Sequence, residues 1–130
     1  MKCLDTDLLV AILRGKKEAQ KIVEELDIEG KTGTTSINAF EIYYGAEKSA
    51  KKNDNLKEAT RLLERLAIFP LDLPSSRKAA EISAALSTKG ETIDFRDAMI
   101  AAIAVENSLT LVTRNKSHFK RIRDLQVESW

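Results

Sequence analysis

The stretch MKCLDTDLLVAIL, residues 1–13, begins with a short apolar run, passes through an acid, and then places Leu8, Leu9, Ile12 and Leu13 at helical spacing. It reads as a strand over 1–4 that runs directly into a helix, with Gly15 as its stop. Asp5 stands where the strand ends. Two readings are open for it: an N-cap whose carboxylate takes a backbone N–H of the first helical turn, or a polar group presented at a strand's carboxyl edge. Asp7 falls in the first helical turn, where a negative charge suits the helix dipole, and has at most an outer role in any site.

The alternation continues along the chain. Residues 16–29, KKEAQKIVEELDIE, read as helix, followed by a turn around Gly30 and Gly33. TTSI, near 34–37, ends a short strand and enters the helix NAFEIYYGAEKSA, with Thr35 or Ser36 as N-cap. A polar break, KKNDN, precedes a helix through about Leu66. IFPLDL, 68–73, is a strand whose proline lacks an N–H and so belongs at an edge or a strand end. Pro74 and two serines start a helix to Lys89–Gly90, a second helix occupies about 94–107, and TLVT (110–113) and LQVESW (125–130) are strands. Strands alternating with helices predict an α/β fold with a short, mainly parallel sheet of four or five strands.

At 130 residues the chain is expected to form one domain, 1–130, and 43% hydrophobic with 32% charged residues is a globular composition. No apolar run approaches the roughly 18 residues of a membrane span, and no cleavable signal pattern opens the chain. Cys3 is the only cysteine, so no internal disulfide forms, and a reducing cytoplasm is the expected location. A net charge of +1 excludes a grip on nucleic acid through the bulk field, so any such work must be local.

Three acids occupy unexpected places. Ile37, Phe40 and Tyr44 make an i, i+3, i+7 stripe, and Glu41 fills the i+4 slot of that face. An isolated carboxylate buried there costs several kcal/mol or protonates. Glu41 therefore either lies at the stripe's edge, reaching solvent or a lysine, or belongs to a site. Asp97 repeats the pattern among Ile93, Ile100, Ala101 and Ala104, on a helix whose alanines allow close packing. Asp94, one turn earlier, is either an N-cap or a further ligand. Asp5, Glu41 and Asp97 in one pocket would raise each other's pKa, and a divalent cation relieves that repulsion. An oxygen-only donor set suits Mg²⁺ or Mn²⁺. His118 is the only histidine, so zinc spacing is absent.

LDTDLL (4–9), NAFEIYYG (38–45), DAMIAAIAVENSLTLVTRN (97–115) and HFKRI…LQVESW together resemble the PIN-domain ribonucleases, and more narrowly the VapC toxins of VapBC toxin–antitoxin pairs. The resemblance covers nearly the whole chain in order. It implies a three-layer α/β/α sandwich, a Mg²⁺-dependent endoribonuclease (Mn²⁺ able to substitute), a small VapB-like antitoxin that blocks the site, and a homodimer. Asp5, Glu41 and Asp97 match the family's three acids, Thr6 a small polar residue beside the first, and Thr113 and Asn115 a polar pair at a strand end. Many relatives carry a fourth acid near TRNKSHF, and here none stands. Three alternatives are open: Asp94 takes its place, Asn115 contributes through its carbonyl or a metal-bound water, or the site holds one metal less firmly. His118 is expected to pack or to face RNA rather than to ligate metal.

The expected chemistry is hydrolysis of an RNA phosphodiester, with Asp5 and Asp97 as main ligands, Glu41 binding directly or through water, and Glu41 or Asp94 accepting the water's proton. Basic residues gather after the first helix (Arg14, Lys16, Lys17) and near the C-terminus (Arg114, Lys116, Lys120, Arg121, Arg123). Arg114 and Lys116 are the expected phosphate contacts. Few aromatic residues make extensive base stacking a poor fit, which favours structured RNA, tRNA included, read by shape. Leu56, Ala59, Leu62, Leu63 and Leu66 form an apolar stripe that is either core, an antitoxin groove or a dimer seam. Two rivals remain. One is a non-catalytic PIN-like scaffold. The other is a haloacid-dehalogenase-type phosphatase using Asp5 and Asp7, whose motif wants Thr or Val where Leu9 stands.

Overall fold

Successive residues of a strand point to opposite faces of its sheet, so strands of only three or four residues each feed two layers at once. The computed structural model describes residues 1–130, the side chains at 28 and 29 excepted. In chain order the elements are β1 (Lys2–Leu4), α1 (Thr6–Leu13), α2 (Lys17–Glu29), β2 (Thr32–Thr35), α3 (Ser36–Glu47), α4 (Lys52–Glu64), β3 (Ala67–Phe69), α5 (Leu73–Thr88), α6 (Phe95–Glu106), β4 (Thr110–Val112), α7 (Lys116–Phe119) and β5 (Gln126–Glu128). The strands form one five-stranded sheet in the order β3-β2-β1-β4-β5, every pair parallel.

Two cores flank the sheet, giving the expected α/β/α sandwich. Cys3 of β1 and Leu111 of β4 point into a core shared with α5 and α6, where Ile100, Ala101, Ala104 and Phe119 are sealed. Their neighbours Leu4 and Val112 point the other way, into a core built with α1, α3 and α4 from Leu8, Leu9, Ile42, Ala59 and Leu62. Leu8 and Leu9 are fully buried, each contributing on the order of 1.5–3 kcal/mol from lost apolar surface. β1 is central, and Leu4 sits beside Val112 in the register. The next residues, Asp5 and Thr113, therefore emerge side by side at the sheet's carboxyl edge.

Several expectations need correction. Gly33 is not in the turn with Gly30; it lies inside β2, where a Cβ would meet the Ala67 carbonyl oxygen and a Phe69 ring carbon, each at 2.8 Å. Its bare backbone lets β3 approach. Most of KKNDN is not a break, because α4 begins at Lys52, with Asp54 in its first turn. β3 stops at Phe69, ahead of Pro70, and is indeed an edge strand; Asp72 then caps α5 by accepting from the Ser75 N–H at 3.0 Å. The single turn α7 was not anticipated. On α3 the stripe is inverted: Phe40 and Tyr44 are about half exposed and stack on one another, while Asn38, Ile42 and Ala46 are buried. The α4 stripe is core, with Ala59, Leu62 and Leu63 buried.

Candidate active site

Asp5 leaves β1 with its backbone N–H still paired to the Val112 carbonyl, then caps α1 with its side chain. The two readings of this residue prove compatible. Its Oδ1 accepts from the Thr6 N–H at 2.8 Å and from Asn38 Nδ2 at 3.1 Å, and its Oδ2 accepts from the Thr113 hydroxyl at 2.7 Å. Only 8% of Asp5 is exposed. Burial pushes its pKa up to about 6; the Thr113 and Thr6 hydrogen bonds oppose that rise, and the charges of Asp7 and Asp97 add to it.

Asn38 organises the near side of the site. Its Nδ2 also donates to Thr6 Oγ1 at 2.9 Å, and its Oδ1 accepts from the Thr35 hydroxyl at 2.7 Å. Thr35 in return accepts from the Asn38 N–H, closing a capping box that fixes where α3 begins. Thr6, its oxygen engaged by Asn38, donates to Glu41 Oε1 at 2.8 Å. A short relay thus joins Asp5, Asn38, Thr6 and Glu41. The other Glu41 oxygen lies 3.8 Å from an Arg96 nitrogen, and the side chain is 22% exposed. Glu41 is thus at a site edge beside an arginine, not in an apolar stripe.

Asp97 occupies the first turn of α6, with Ile100, Ala101 and Ala104 beneath it fully buried, as its spacing predicted. Burial raises its pKa, the His118 ring opposes this through charge and hydrogen bonding, and Asp94 adds to it. His118 Nε2 lies 3.2 Å from Asp97 Oδ2. Asp94 is the N-cap of α6; its Oδ1 takes the Arg96 N–H at 2.8 Å and Nε at 3.3 Å, and those bonds hold its carboxyl below the usual range.

Thr113, fully buried, is the hinge of the far side. Its oxygen also lies 3.1 Å from Asp7 Oδ2 and accepts from the Asn115 N–H at 3.0 Å. Asp7 further accepts from the Arg114 N–H and from Trp130 Nε1, each at 3.0 Å. Its helix position is therefore only part of its role, because Thr113 links it to Asp5. The Arg114 guanidinium stacks on the Trp130 ring at 3.8 Å and pairs with Glu18, so it is not a free cation. Asn115 enters through its backbone; among the described residues its side chain bonds to none of the acids. Lys116, at the start of α7, is exposed.

Asn38, the Asp97–His118 contact and the Trp130–Asp7 contact were not foreseen. The first had a readable signal, the capping pattern Thr35-x-x-Asn38 after a strand.

The donor set fits a hard divalent cation. Among the described residues no three His, Cys, Asp or Glu side chains stand as a ready-made cage. Mg²⁺ does not need one: it keeps several waters and is held by one or two carboxylates. Burial first, and the charges of Asp7 and Asp97 after it, push Asp5 toward protonation, and a cation beside it would favour the ionised form.

Comparison with known proteins agrees with this geometry. Residues 2–125 match the PIN domain. The chain is 32% identical over 130 residues to ribonuclease VapC2 of Rickettsia felis, covering 98% of this chain and 96% of the relative. It is 31% identical over 128 residues to the tRNA(fMet)-specific endonuclease VapC of Salmonella typhimurium, with the same coverage of 98% and 96%. The crystal structure of DNA-bound VapBC from Salmonella typhimurium superposes with a TM-score of 0.91 at 31% identity, over 100% of this chain and 99% of the other.

Proposed function

This chain belongs to the PIN-domain family and, within it, to the VapC ribonucleases, and on that premise we propose that it is a Mg²⁺-dependent endoribonuclease acting on structured RNA, the toxin of a pair silenced by a VapB-like antitoxin. What supports this reading is Asp5 held at the carboxyl edge of the sheet by Thr6, Asn38 and Thr113, with Glu41 joined to it through Thr6 and the Asp97 charge near enough to raise its pKa.

Asp5 and Asp97 would hold the cation, Glu41 joining directly or through water; Mn²⁺ would serve as well as Mg²⁺. Such an ion supplies a water of lowered pKa and neutralises charge on the phosphoryl group. The chain's own residues do the rest. Thr113 and Asn38 keep both Asp5 oxygens oriented. Glu41, linked to Asp5 through Thr6, would accept the water's proton; Asp94 is engaged by Arg96, which holds its carboxyl below the usual range. Hydrolysis of this kind leaves 5′-phosphate and 3′-hydroxyl ends.

Arg14 and Lys16 line a cavity of about 340 Å³ beside Asp7 and would serve RNA phosphates, whereas Arg114 on the same wall is already paired with Glu18. Lys116 remains a phosphate contact, whereas Arg121 is committed to neighbouring backbone and His118. The Salmonella relative's name makes tRNA the first RNA to try. A groove of about 280 Å³ between α1, α3 and α4 is lined by Val10, Leu13, Ile42, Ala46 and Ala59 and reaches Glu41, which suits an apolar helical segment of an antitoxin. Exposed Phe40, Tyr44, Leu73 and Phe95 suit contact with a second copy in a homodimer. With RNA and an antitoxin as partners, the protein would act in the cytoplasm.

The test is cleavage of purified tRNA by the purified chain with Mg²⁺, with EDTA, and with Asp97→Asn. Cleavage only by the unsubstituted chain in Mg²⁺ supports the proposal; cleavage that survives EDTA or Asp97→Asn overturns it.

A further inference from the structure

We propose that His118 is a positioning residue for Asp97: its Nε2–H holds one carboxylate oxygen, leaves the other for the cation, and is kept in that tautomer by Arg121. The inference rests on the reading of Asp97 as a metal ligand, but it concerns groups that reading did not use.

An Arg121 Nη2 nitrogen lies 3.2 Å from His118 Nδ1. A guanidinium only donates, so Nδ1 must present its lone pair. A neutral imidazole has a single N–H, which is then on Nε2. That nitrogen lies 3.2 Å from Asp97 Oδ2, an atom that only accepts when ionised. One tautomer satisfies both contacts. The other would set N–H against N–H on one side and lone pair against carboxylate on the other.

Arg121 is itself fixed. Its Nε donates to the His118 carbonyl at 2.9 Å and its Nη2 to the Thr92 carbonyl at 2.8 Å, with Glu91 Oε2 at 3.6 Å from Nη1. Thr92 lies just before the cap of α6, so Arg121 clamps the α7 turn to the segment that launches Asp97. Phe119 is almost fully buried and meets the imidazole edge-on at 5.2 Å. The ring is thus held by Asp97, Arg121 and Phe119 together. Both ring nitrogens are used, so His118 has none free to bind a metal. Where an acid at this position would repel Asp97, the imidazole gives it a hydrogen bond. Hydrogen-bond partners behind a metal ligand change metal affinity or activity by roughly 10–100-fold when lost.

Two readouts test this on the full chain. The first needs no metal. His118 is the only histidine, so ¹⁵N NMR of labelled protein at about pH 8, above the ordinary histidine range, reports one imidazole. The Nε2–H tautomer is expected; an Nδ1–H tautomer overturns the proposal. The second is the Mn²⁺ dissociation constant by electron paramagnetic resonance, with kcat and KM for RNA and the melting temperature in EDTA alongside. His118→Ala is expected to weaken Mn²⁺ binding about tenfold or more and to lower kcat with little change in KM. His118→Gln, whose amide reaches the same carboxylate, is expected to recover most of the affinity. Arg121→Gln is expected to lie between. Unchanged Mn²⁺ affinity in folded His118→Ala, or in Arg121→Gln should the alanine variant fail to fold, overturns the proposal. So does a glutamine variant as weak as alanine at an unchanged melting temperature. Unsubstituted protein that binds Mn²⁺ but cuts no RNA refutes the nuclease reading alone; protein that binds no Mn²⁺ refutes the metal site and this role with it.

Discussion

Replacing Asp5 with Asn is expected to abolish cleavage and at the same time to stabilise the metal-free protein. In the fold the Asp5 pKa rises from the ordinary 3.8 to about 6. The native state therefore binds more protons than the unfolded chain between those values, and stability falls as pH rises from about 4 through 6. Roughly two pKa units at 1.36 kcal/mol each come to about 3 kcal/mol of native-state cost once Asp5 is fully ionised. Asn keeps the shape and the hydrogen bonds. Its carbonyl accepts from the Thr6 N–H and Asn38 Nδ2, and its amide donates to the Thr113 oxygen, whose own proton turns to Asp7 Oδ2, 3.1 Å away. No buried group is orphaned, so about 1–3 kcal/mol of the cost should be recovered, or roughly 3–10 °C in melting temperature. Thermal melts in EDTA across pH 4 to 8 check this. Asp5→Asn should melt above the unsubstituted protein at pH 7.5, with the gap closing toward pH 4. Added Mg²⁺ should stabilise the unsubstituted protein and leave the variant unmoved. A variant that melts lower at pH 7.5, or a gap independent of pH, would refute the reasoning.

Other perturbations follow from the same contacts. Thr113→Val removes the hydroxyl that serves Asp5, Asp7 and the Asn115 N–H; it should cost about 1–3 kcal/mol in urea unfolding and reduce kcat at least tenfold. Asn38→Ala deletes a fully buried amide bonded to Asp5, Thr6 and Thr35; it should lower stability by about 2–3 kcal/mol in urea unfolding and reduce the rate of RNA cleavage. Gly33→Ala forces a Cβ to within 2.8 Å of the Ala67 carbonyl, so β3 must shift; a loss of about 1–3 kcal/mol is expected, with amide exchange faster in β3 than in β4.

What could be read from sequence followed local chemistry, and what could not followed topology. Asp5 was legible because a strand ended and an acid followed, and Asp97 because its helix is alanine-rich on the face it shares. Glu41 lies beside Thr6 and Arg96 for a reason other than the apolar stripe that singles it out in the sequence. Helical spacing says which residues share a face, not which face meets the sheet, and the face bearing Phe40 and Tyr44 turned outward. Asn38 passed unnoticed because a neutral polar residue at a helix start looks like an ordinary cap. The partner of Asp97 lies 21 residues away, and that of Asp7 123 residues away, contacts set only by the order of strands. Gly33 reads as a turn until β3's backbone is brought beside it. α7 is a single turn, too short for any periodicity.

The central claim is that Asp5, Glu41 and Asp97 form one metal-dependent centre that cuts RNA with an activated water. Its most direct test is the chemistry of the ends left on tRNA cleaved in Mg²⁺ by the unsubstituted chain. The account predicts 5′-phosphate and 3′-hydroxyl ends, formed only while the divalent cation is present. Ends carrying a 2′,3′-cyclic phosphate, or the same ends formed in EDTA, would contradict it.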